Sequence, residues 1–86
     1  SVSRSREVRQ WHYNRVARFQ HSALFPTTAA GPLPTITETT SSGVPVTVSE
    51  VLTELEPSLV ELTSTTTWLM PSGTTVTQTL KGLQAR

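Results

Sequence analysis

Cysteine is absent from the 86 residues. That excludes disulfide staples and every zinc site built on thiolates. Aspartate is absent as well, and Lys81 is the only lysine. Aromatics are few: two Trp, two Phe and one Tyr. The apolar share is 35%, below the roughly 45–50% of ordinary globular domains. A chain this short buries a modest fraction of its surface, and small scaffolds without disulfides or metals usually lean on a partner. Little independent core is therefore expected. No run approaches the ~18 consecutive apolar residues that span a bilayer, so no transmembrane segment is expected. Catalytic motifs are missing too. There is no GxSxG, and no acid stands near either histidine. His12 and His21 are nine residues apart, not the i, i+4 pair that shares a helix face and a metal. The sequence gives no reason to expect an enzyme, a cofactor or a metal.

Charge is present, and it is unevenly placed. Residues 1–25 carry Arg4, Arg6, Arg9, Arg15 and Arg18 against Glu7 alone, a net of +4. Residues 26–86 carry Lys81 and Arg86 against Glu38, Glu50, Glu54, Glu56 and Glu61, a net of −3. Such a split suggests a basic arm on a different body. The arm contains "RQWHYNRVARF", residues 9–19, where arginines are interleaved with Trp11, Tyr13 and Phe19. Val8, His12, Val16, Phe19 and Ala23 share one arc of a helical wheel, so a helix is expected from Arg6 to about Leu24. It should stop before Pro26, because the residue preceding proline avoids helical geometry.

Residues 26–47 read as a linker. Pro26, Pro32, Pro34 and Pro45 with Gly31 and Gly43 preclude a long helix or a central strand. An extended path is expected, and "TITET" could add briefly to a sheet edge. From residue 48 the apolar residues Val51, Leu52, Leu55, Leu59 and Leu62 keep a helical phase. Glu50, Glu54 and Glu61 fall on the opposite side, as solvated residues do. Pro57 would kink such a helix. Residues 63–81 read as a β-hairpin turning at "PSG", with Trp68, Val76 and Leu80 on one face. The expectation is an α+β chain in three parts: a basic aromatic helical arm (1–25), an extended Pro/Thr-rich linker (26–47), and a module of a short Pro-kinked amphipathic helix plus hairpin (48–86).

No family signature is recognisable, so function rests on composition. The arm offers Arg9, Trp11, Tyr13, Arg15, Arg18 and Phe19 as partner-binding residues. Trp and Arg are the usual anchors of protein interfaces. The residues Val51, Leu52, Leu55, Leu59, Leu62, Trp68, Val76 and Leu80 form a stripe that is core or docking surface. The reading is a non-catalytic structural subunit that ties neighbouring subunits of a larger assembly together. One alternative is a nucleic-acid-associated structural protein of a virion or ribosome, with arginines on phosphates and aromatics on bases. Residues 6–25 could also lie on an anionic membrane surface. A secreted, O-glycosylated Thr-rich surface protein is a third class. The Arg- and Ser-rich, acid-poor start resembles an organelle transit sequence, which favours a mitochondrial location.

Overall fold

In a computed structural model, which describes residues 2–86, the chain is one helix laid across one face of an antiparallel sheet. Ser1 of the expected arm lies outside the described residues. Helix α1 is Val2–Gln20, and a 3₁₀ turn follows at Phe25–Thr27. The strands are β1 (Gly31–Pro32), β2 (Ile36–Thr39), β3 (Pro45–Glu56), β4 (Leu59–Leu69) and β5 (Thr75–Ala85). β3, β4 and β5 form a meander, and β1 and β2 lie end to end along the outer edge of β3. The fold is thus α+β and compact.

The Pro-kinked helix expected over 48–62 is not there. Those residues are the second half of β3, a tight turn, and the start of β4. Glu56 pairs with Leu59, which puts Pro57 at the first central position of a two-residue turn, a place its fixed φ suits. No non-glycine residue has positive φ, so the turn is not of the primed type that matches strand twist. The register slips beside it, between Glu54 and Glu56, as a bulge does to absorb the mismatch. The hairpin at "PSG" is present, and β5 runs to Ala85, past the end of the hairpin expected over 63–81. Gly73 there has φ +90°, which an L side chain would resist.

Two-residue alternation explains the strands. Val46, Val48, Glu50 and Leu52 of β3 point to the helix and are buried, while Thr47, Ser49, Val51 and Thr53 point away. On β4, Val60, Leu62, Ser64, Thr66 and Trp68 are buried. The outer face is rich in threonine. Thr47, Thr67 and Thr77 stand in one row across three strands, with Thr37 of β2 beside them. Such β-branched residues suit a pleated surface open to water.

On the inner face α1 presents Val8, His12 and Val16, one turn apart. Val8, Val44, Val46, Val48 and Trp68 form one apolar cluster, flanked by Trp11, Ile36, Met70 and Val76. Val16, Phe25, Leu52, Val60 and Leu62 form a second, flanked by Phe19, Leu33 and Leu80. Phe19 meets Phe25 edge-on, ring centres 5.3 Å apart, a favourable aromatic geometry. A polar layer separates the two clusters.

Candidate functional site

The polar layer is built from α1 and the three long strands. His12 faces the sheet from the middle of α1, between Val8 and Val16, and is fully buried. Its Nε2 lies 2.9 Å from Ser64 Oγ and its Nδ1 lies 3.0 Å from Gln78 Oε1. Ser64 Oγ lies 2.7 Å from Glu50 Oε2, its direct neighbour across β3 and β4. Arg15, one turn on from His12, reaches Glu50 with Nη2 at 2.9 Å and Nε at 3.3 Å. The fork of two N–H groups on two carboxylate oxygens is the geometry guanidinium favours.

Proton positions follow from counting. A hydroxyl has one proton to give. The short contact to a charged carboxylate takes it, so Ser64 donates to Glu50. His12 Nε2 must then carry the proton it shares with Ser64. Burial lowers the His12 pKa below its ordinary 6.5. The Gln78 contact and the Glu50 charge oppose that, and the Arg15 charge reinforces it. A neutral ring protonated at Nε2 would leave Nδ1 as an acceptor facing the Gln78 oxygen, and would need the amide turned to present its NH₂. The imidazolium instead donates from Nδ1 to Gln78 Oε1 as it stands. One turn of the amide therefore accompanies protonation.

Serine, histidine and glutamate in contact invite comparison with a nucleophile–base–acid triad. Order and access both differ. In the triad the histidine takes the serine proton and the acid orients the histidine. Here the serine sits between histidine and acid, its proton is committed to the acid, and Ser64 is fully buried. This arrangement locks α1 on the sheet at one register.

Glu50 corrects a sequence expectation. Helical phase puts it with Glu54 and Glu61 on a solvated face, yet it is buried while Glu54 is exposed. Glu61 is half-buried, 3.9 Å from Lys81. The signal for Glu50 is the pattern Val46, Val48, Glu50, Leu52, in which a carboxylate takes a core position of a strand. His12 and Ser64 carry no such mark.

The six arm residues divide between the two sides of α1. Trp11 is half-buried against the first apolar cluster, Phe19 against the second, and Arg15 is tied to Glu50. Arg9, Tyr13 and Arg18 are exposed. The Arg9 guanidinium stands over the Trp68 ring at 5.4 Å, and Tyr13 is 62% exposed. Of the apolar stripe, Leu52, Leu62 and Trp68 are core, Val76 and Leu80 flank it, and Leu59 is half-buried. Val51 and Leu55 are exposed. Among the described residues, no three His, Cys, Asp or Glu side chains gather as metal ligands, and no helix is long and apolar enough to cross a membrane.

Comparison with protein-family models, with curated proteins and with solved structures finds no match to this chain.

Proposed function

We propose that the chain is a non-catalytic structural subunit that docks onto neighbouring components of a larger assembly through the outward face of α1. The observation that carries this reading is the split of the arm. Trp11, Phe19 and Arg15 hold α1 to its own sheet, which leaves Arg6 and Tyr13 exposed on one flank, with Arg9 beside them over Trp68, and Arg18 exposed on the other. Tyr loses little freedom when it binds, and Arg and Tyr are among the side chains that carry interface energy. The partner surface would be acidic. The interlocked Ser64–His12–Glu50 chain supports the same reading, since it uses the reactive residue types for packing.

A second reading has the same face meeting RNA or DNA. Arg6 and Arg9 beside the exposed Tyr13 ring on one flank of α1 favour it. Co-sedimentation of the native protein, with and without nuclease, separates the two. Migration in a large particle that survives nuclease supports docking on protein. Release by nuclease supports the nucleic-acid reading. Migration as a free 9.4 kDa chain overturns both.

A further inference from the structure

The two long edges of the sheet are treated differently. β3 is covered by β1 and β2, and Leu33 N–H bonds Glu50 O between them. The part of β3 left bare carries Glu54, Glu56 and a bulge, which discourage pairing. β5 has none of these protections. It has no proline, no acid and no break in register, and its one charge is Lys81.

Which backbone groups of β5 are free follows from parity. Met70 N–H bonds Thr74 O, and Arg86 N–H bonds Ser58 O. Even-numbered residues of β5 therefore bond to β4, and odd-numbered ones point their N–H and C=O away from it. Leu83 O is one of these outward groups, and the Gln20 side chain donates to it at 2.7 Å. Gly82 makes room for this cap, since a Cβ there would lie 2.8 Å from Gln20 Oε1. The open edge is thus bounded by Gln20 at one end and the "PSG" turn at the other. It comprises Thr75, Thr77, Thr79 and Lys81.

The open segment reads "TVTQTLK", residues 75–81. It is nearly symmetric about Gln78. From this we infer that residues 75–81 pair antiparallel with the same residues of a second copy, about a two-fold axis at Gln78. Thr77 then meets Thr79 of the second copy, Val76 meets Leu80, and Thr75 meets Lys81. The outward groups face each other in four pairs, giving about eight backbone hydrogen bonds along a seam roughly 23 Å long. No like charges are opposed. Moving the axis to Leu80 would demand the carbonyl that Gln20 occupies, and moving it to Lys81 would stack lysine on lysine. The threonine row through Thr47, Thr67 and Thr77 would continue into Thr79 and Thr65 of the second copy. On the inner side, half-buried Val76 and Leu80 gain apolar neighbours. A groove of about 160 Å³ beside the edge, lined by Tyr13, Val16, Leu80 and Lys81, falls at the same seam. Shared symmetry of the contact is what an isologous dimer requires.

The pairing is independent of whether α1 meets protein or nucleic acid, so it is tested on the purified chain alone. Sedimentation velocity over rising concentration should show conversion from 9.4 kDa to twice that mass. Amide exchange of Thr75, Thr77, Thr79 and Lys81 should slow about tenfold as the dimer fills, since these N–H groups are unbonded in the single chain. Thr79→Pro removes an outward N–H and no backbone bond to β4, losing there only the exposed Thr79–Thr65 hydroxyl contact, so it should leave the circular dichroism unchanged and abolish the dimer. A chain that stays single at every concentration overturns the inference. So does a dimer in which those four amides exchange as fast as before, whatever the proline variant does.

Discussion

Ser64 gives its hydroxyl proton to Glu50, at 2.7 Å, in the middle of the helix–sheet interface. That bond places a carboxylate among buried groups, and Arg15 supplies the counter-charge from α1. A buried pair contributes little compared with a well-packed apolar pair, but breaking one side leaves a charge without a partner. Glu50→Ala is expected to destabilise the fold by about 3 kcal/mol in urea titration. Arg15 keeps a quarter of its side chain in water, so Arg15→Met should cost less, about 1 kcal/mol. The double variant should cost less than the two single losses together, which a double-mutant cycle reads directly.

His12 makes stability depend on pH, with a definite sign. Its pKa in the folded chain is lowered from 6.5, chiefly by burial. The unfolded chain therefore binds the proton more readily. Stability is full above about pH 6.5 and falls as pH drops below it towards the folded-state value, by at most about 1.4 kcal/mol per pH unit from this group. Urea midpoints at pH 7.5 and 5.5 test this. The loss at pH 5.5 should shrink in His12→Gln and persist in His21→Gln, whose ring is exposed. A rise in stability at pH 5.5 would mean that His12 is held as the imidazolium.

Strand parity and helical phase make different demands on Leu55 and Leu62. A helix over 48–62 would bury both. In the sheet, Leu62 is fully buried opposite Leu52, and Leu55 is 48% exposed beside the turn. Leu62→Ala should cost about 3 kcal/mol, and Leu55→Ala no more than about 0.5 kcal/mol. Thermal unfolding of the two variants decides between the geometries.

The helical phase of residues 48–62 misleads because of the polar layer. Glu50, Ser64 and Thr66 occupy core positions of β3 and β4, so the alternation of apolar and polar types is broken where the strands cross it. Threonine stands on both faces of β4, as Thr65 and Thr66 show, and its identity says nothing about direction. Five Leu and Val residues then happen to keep a helical phase across Pro57. α1 is legible because Val8, His12 and Val16 repeat without a Gly or Pro to interrupt them. The second hairpin is legible through its turn chemistry, Pro71 and Gly73. The His12–Ser64–Glu50 contact is not, because it joins residues 12, 50 and 64 through pairing that the sequence specifies only weakly.

Thr66 offers a test of the same layer from the opposite direction. Its hydroxyl is fully buried and has no hydrogen-bond partner, and Trp68 Nε1, two residues on along the same face of β4, is likewise unpaired. Removing a buried hydroxyl normally costs stability because a bond is lost, but here there is no bond to lose, and an unsatisfied polar group carries a desolvation penalty. Valine has nearly the same shape and equal strand preference. Thr66→Val is therefore expected to stabilise the chain by about 1 kcal/mol. The contrast is Ser64→Ala, which removes the bridge between His12 and Glu50 and should cost about 2 kcal/mol. Urea midpoints of the two variants at pH 7.5 measure both effects. A loss of stability in Thr66→Val would show that the hydroxyl is bonded after all and belongs to the polar layer.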